Sequence, residues 1–66
     1  MIIIINGEQK EFEENITLLS VLEKLSLESK VMAAAVNMNI VKQEEWGEYR
    51  LKEGDKLELL DFVGGG

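Results

Sequence analysis

Sixty-six residues make one small domain, near the lower limit for folding alone, with room for a single core and none for a deep substrate cavity. The chain has no cysteine and no histidine, which excludes disulfides, thiolate ligands, the usual general base and the commonest metal ligand. A net charge of −6 opposes binding to nucleic acid or anionic membranes, and suits either a partner with a basic docking face or a simple need for solubility.

Ile2 to Ile5 is β-branched throughout and reads as a central strand buried on both faces. It is far too short to cross a bilayer and no basic segment precedes it, so neither a signal peptide nor a transmembrane segment is expected. The lack of cysteine favours the cytoplasm, because small secreted domains usually depend on disulfides. Asn6-Gly7 accepts the positive φ values of a tight hairpin turn, and leads to a second strand at about Glu8 to Glu13. Only Phe12 is apolar there, so this strand belongs at a sheet edge.

Thr17 is a natural N-cap. Leu18, Val21, Leu22 and Leu25 follow at the spacing of one helical face, which predicts a helix from Leu18 to about Ser26 lying across the sheet. Met32-Ala33-Ala34-Ala35-Val36 has helical propensity, but it is short and runs into Asn37-Met38-Asn39. We read it as a strand whose alanines let the helix approach closely. Ile40-Val41 is a short strand, Gln43 to Trp46 one helical turn, Glu48 to Leu51 a short extended piece, and Lys52 to Asp55 a turn. Trp46 is read as an anchor over the end of the sheet.

Lys56 to Val63 forms the last strand, with Leu57 and Leu59 on one face and Glu58, Leu60 and Phe62 on the other. If the first and last strands are central neighbours they run parallel, and the segment between them is long enough to hold the crossing helix. Gly64-Gly65-Gly66 follows at once. Three glycines have nothing to pack and are costly to order, so a folding argument gives no reason for them. They suit a thin thread, about 10 Å long when extended, that carries a terminal carboxylate into a narrow site. The folded domain is thus assigned to residues 1–63 and the tail to 64–66.

The side chains offer little catalytic chemistry. Ser20, Ser26 and Ser29 have no histidine to activate them. The clusters Glu11, Glu13, Glu14 and Glu44, Glu45, Glu48 lack the spacing of a calcium loop and read as solvated faces.

Several features together resemble the ThiS family of small sulfur carriers, which have the β-grasp, ubiquitin-like fold. They are the opening strand with Asn6-Gly7, Ala35-Val36-Asn37, Ile40-Val41 followed by Trp46, then Leu51, Gly54-Asp55 and Val63-Gly64-Gly65-Gly66. Lys42 departs from the proline that many members carry after the Ile-Val pair. The resemblance implies an α+β domain with a mixed sheet of four to five strands and one helix across one face. It implies that an E1-like, ThiF-type enzyme uses ATP to adenylate the Gly66 carboxylate. A sulfur donor enzyme then displaces AMP, and the resulting thiocarboxylate delivers sulfur to a ThiG-type thiazole synthase. In that scheme the chain is a carrier and not an enzyme, binds no cofactor or metal, and threads Gly64 and Gly65 into its partner. One helix covers only one face of the sheet, so Leu60, Phe62 and Val63, joined by Ile2 or Ile4, are expected to form an exposed apolar docking surface. The alternatives are a carrier for molybdopterin synthesis and a ubiquitin-like binding module with an inert tail.

Overall fold

The first and last strands do lie side by side. In the computed structural model, which describes residues 1–61, β1 (Ile2–Ile5) runs parallel to β5 (Lys56–Asp61), with Ile4 opposite Lys56 and Ile5 opposite Leu57. Phe62, Val63, Gly64, Gly65 and Gly66, and the expected extension of the last strand through Phe62 and Val63, lie outside the described residues. β2 (Glu8–Glu11) pairs antiparallel with β1. β3 (Val31–Val36) pairs antiparallel with β5, and β4 (Asn39–Val41) antiparallel with β3. The order β2-β1-β5-β3-β4 places β5 at the centre of a five-stranded mixed sheet.

Alternation along the strands builds one core. Ile3 and Ile5, Leu57 and Leu59, Ala34 and Val36, and Val41 all face inward and cluster with Leu18, Val21 and Leu22 of α1 (Leu18–Lys24). The burial expected for β1 on both faces holds for only one. Ile3 and Ile5 are buried, whereas Ile2 and Ile4 are half-buried, because among the described residues no helix covers the second face and neighbouring strands shield them. The alanine-rich segment also divides. Ala34 alone meets the core, and Ala33 and Ala35 point to the open side. Close approach of the helix therefore concerns one alanine of the three.

The helix starts where expected, with the Thr17 side chain accepting from the Ser20 amide at 3.1 Å. It ends earlier than expected, at Lys24. Ser26 takes φ +59, and the Leu27 amide donates back to the Leu22 carbonyl at 2.8 Å, closing the helix without a glycine. Residues 48–51 form no named strand. They hold the helix start through Leu18 N–H to Tyr49 O at 2.8 Å and Leu51 N–H to Ile16 O at 2.9 Å. A 3₁₀ turn (Gln43–Glu45) delivers Trp46 into the core, where it is 2% exposed and donates Nε1–H to the Val41 carbonyl at 2.9 Å.

The turn between β1 and β2 has φ +49 at Asn6 and +87 at Gly7, the two positive values of a type I′ hairpin. The β3–β4 turn uses Asn37 and Met38 in the same way, at φ +51 and +72. Asn37 ties that turn to the next one. Its Nδ2 donates to Asp55 at 2.9 Å and its Oδ1 accepts from the Lys56 amide at 3.0 Å.

A domain of this size has only about 3–10 kcal/mol to lose. Trp46→Ala is expected to remove about 3–5 kcal/mol, leaving much of the protein unfolded. Trp46→Phe, which keeps a ring but loses the bond to Val41, should cost about 1–3 kcal/mol in a urea titration.

Candidate functional site

Among the described residues, the sheet face opposite the helix is a surface assembled from apolar residues and open to solvent. On β5, Leu60 is 59% exposed while its neighbour Leu59 is 8% exposed, a direct product of strand alternation. Leu60 stands opposite Ala33 on β3, and Glu58 stands opposite Ala35. Ala35 is in turn opposite Ile40 of β4, which is 73% exposed. The short alanine side chains thus leave a trough between the taller Leu60 and Ile40. The trough encloses about 310 Å³, and Asn6 and Glu58 join its lining. Across β5, the half-buried Ile2 and Ile4 extend the apolar surface toward β2, where they stand opposite Glu11 and Gln9.

Among the described residues no polar or charged side chain is buried, and no group of three or more His, Cys, Asp or Glu is placed to hold a metal ion. A larger depression of about 510 Å³ lies between β2 and the end of the helix, lined by Lys10, Glu11, Phe12, Glu13, Lys24 and Leu25. Its charges are exposed, and Glu13 and Lys24 pair with each other at 3.7 Å. It is a gap between solvated side chains and carries no convergent polar groups.

Of the residues expected at the site, the structure places Leu60, Ile2 and Ile4 on this open face. Phe62, Val63, Gly64, Gly65 and Gly66 lie outside the described residues. Sequence reasoning did not pick out Ile40, which continues the patch to the far edge of the sheet. It also missed Met32, 58% exposed beside the register shift in β3 between Val31 and Ala33. Ile40 carried a signal: in a strand as short as Ile40-Val41, period-two alternation requires one residue to face out. The bulge beside Met32 had none.

The chain was compared with known proteins. The model of a family described as the ThiS family matches residues 3–66. A thiazole synthase of Paramagnetospirillum magneticum is 35% identical over all 66 residues of this chain, which span 20% of that protein. The sulfur carrier protein ThiS of Bacillus subtilis is 30% identical over 63 residues, 94% of this chain and 96% of that one. The crystal structure of a thiamine biosynthesis protein (ThiS) from Geobacter metallireducens superposes with a TM-score of 0.82 at 26% identity and covers all of both chains. The five-stranded sheet with its single helix is therefore a β-grasp fold.

The division between the two faces can be tested on adjacent residues. Leu60→Ser and Ile40→Ser should each change stability by no more than about 0.5 kcal/mol. Leu59→Ser, one position away, should cost at least about 2 kcal/mol by the same denaturant measurement.

Proposed function

The chain belongs to the ThiS family, and from that membership we propose that it is a sulfur carrier of thiamine biosynthesis whose working group is the Gly66 carboxylate. A free carboxylate is a poor electrophile, because attack on it must expel oxide and overcome its charge. On an E1-like, ThiF-type partner, a Gly66 carboxylate oxygen attacks the α-phosphorus of ATP. Pyrophosphate leaves and an acyl-adenylate forms. Sulfide-level sulfur (HS−) released by a donor enzyme then attacks the acyl carbon, AMP leaves and the S–H proton is lost to solvent, which gives a thiocarboxylate. That sulfur passes to a ThiG-type thiazole synthase. ATP belongs to the activating partner; the carrier holds no cofactor and contributes no catalytic side chain of its own. We assign it to the cytoplasm because small secreted domains usually depend on disulfides and this chain has no cysteine. No helix among the described residues is long and apolar enough to cross a membrane.

The observation that carries this reading is the family match running to Gly66 on a chain whose central strand leads toward the glycines. The thiazole synthase relative supports the client. One polypeptide there, named a thiazole synthase, contains a stretch similar to this whole chain. The open sheet face serves as the address for the activating enzyme. Leu60, Ile40 and the alanine trough supply apolar contact, and Phe62 and Val63, next in sequence, add apolar side chains before the glycines. Glu58, standing among them, together with the net charge of −6, selects a partner surface with basic side chains around an apolar centre. Gly64 and Gly65 pass through a channel too narrow for a Cβ.

Incubation with the activating enzyme, ATP and a sulfur source should shift the intact mass by exchange of one oxygen for sulfur at the C-terminus; an unchanged mass rejects the carrier role. Deleting Gly66 should abolish that product and leave the melting temperature where it was. The double variant Leu60→Ser, Phe62→Ser should raise the KM for adenylation by roughly tenfold or more. Unaltered steady-state kinetics would remove the sheet face from the account.

A further inference from the structure

The parallel ladder between β1 and β5 does not stop where the backbone of β1 stops. Its main-chain bonds run from Ile4 N–H to Asp55 O at 2.9 Å and from Asn6 N–H to Leu57 O at 2.9 Å. In a regular parallel ladder the next donor, Leu59 N–H, would meet the main-chain carbonyl of Asn6. At that point the chain turns away into the hairpin, with Asn6 at φ +49 and Gly7 at φ +87. The Asn6 side chain takes over the vacated position. Its Oδ1 accepts from Leu59 N–H at 2.8 Å, and its Nδ2 donates to Leu59 O at 3.3 Å. A carboxamide has the same acceptor and donor as a peptide group, so it serves as one further residue of β1.

This clamp sits at a chosen place. On the other side of β5 the pairing with β3 becomes irregular, with a register shift between Val31, opposite Asp61, and Ala33, opposite Leu60. Among the described residues, the Asn6 carboxamide is thus the last regular hold on β5 from the β1 side, two residues before Asp61. Asn6 also lines the trough that contains Leu60 and Glu58.

We propose that Asn6 is a positioning residue for the reactive terminus: by completing the ladder at Leu59 it fixes where β5 leaves the body, and so where a partner docked on the open face finds the Gly66 acyl group. The inference rests on the sulfur-carrier reading. Without the clamp, Leu59 to Asp61 are held from the β3 side alone, across the register shift, and regain freedom that the partner must remove. Ordering even one more residue lowers the fraction of productive complexes by roughly tenfold. Leu60 and Ile40, the apolar contacts of the docking face, keep their places, and Asn6 contributes one polar side chain to the trough lining, so the loss appears chiefly in kcat and at most slightly in KM.

Asn6→Gly separates the two jobs of the residue, since glycine keeps the positive φ of the turn and deletes the carboxamide. With the cognate adenylating enzyme and ATP, this variant should show kcat reduced on the order of tenfold and KM within about twofold of the wild-type value. Asn6→Asp, which keeps the acceptor for Leu59 N–H and loses the donor, should fall between the two. Thr17→Ala, which weakens the fold at the helix cap away from β5, should leave kcat unchanged. Amide hydrogen exchange in Asn6→Gly should accelerate at Leu59 and leave Ile3 and Val21 protected. Equal kcat for Asn6→Gly and wild type, an equal fall in Thr17→Ala, or a uniform loss of protection across the sheet would each overturn the positioning role while leaving the carrier reading intact. Failure of the wild-type protein to be adenylated would overturn both.

Discussion

The parallel pairing of β1 with β5 is the constraint on which the rest of the molecule depends. It joins residues about fifty positions apart, with Ile4 opposite Lys56 and Ile5 opposite Leu57. Closing so long a loop costs chain entropy before any burial offsets it. The gain comes from the residues that this one register aligns. Ile3 and Ile5 meet Leu57 and Leu59 under Leu18, Val21 and Leu22, all buried. A slip of one residue would turn Leu57 and Leu59 to the solvent and bring Glu58 into the core. The hairpin, the helix cap and the Trp46 anchor refine a structure that this pairing defines.

A second consequence is that β5 does two jobs at once. Its odd residues, Leu57 and Leu59, hold the fold, while Glu58 and Leu60 face out. In so small a domain there is no room to assign stability and recognition to different elements, so alternation along a single strand separates them. The same rule operates on β3, where Ala34 and Val36 pack inward and Ala33 and Ala35 floor the open trough. Alanine on the outer side makes that trough possible. A larger residue at either position would fill the space between Leu60 and Ile40.

Much of this architecture was legible in the sequence because it rests on periodicity and on turn chemistry. Leu18, Val21 and Leu22 announce the buried helical face, Asn6-Gly7 the first hairpin, and the β-branched first strand its central position. The alanine segment is a strand in spite of its helical propensity, since pairing with both β4 and β5 outweighs the intrinsic preference of its residues. The rest escaped for physical reasons. Ile2 and Ile4 look identical to Ile3 and Ile5, and only the missing second layer distinguishes them. The helix stops at Lys24 through a left-handed Ser26, for which no glycine gave warning. The open face was anticipated at Leu60 but not at Ile40. Asn6 was readable as a turn residue. Its bonds to Leu59 join positions separated by 53 residues, and no local pattern encodes them.

The two margins of the sheet also differ from its middle. On one side β2 presents Glu8, Gln9, Lys10 and Glu11, and on the other β4 has only three residues before the chain departs into a 3₁₀ turn. Bare strand margins invite a second copy to hydrogen-bond alongside, and charged or very short strands discourage it. A small domain with greasy side chains on display is at risk of sticking to its own kind. These blunted margins offer a second copy little backbone to pair with, so sheet extension is a poor route to covering the apolar face.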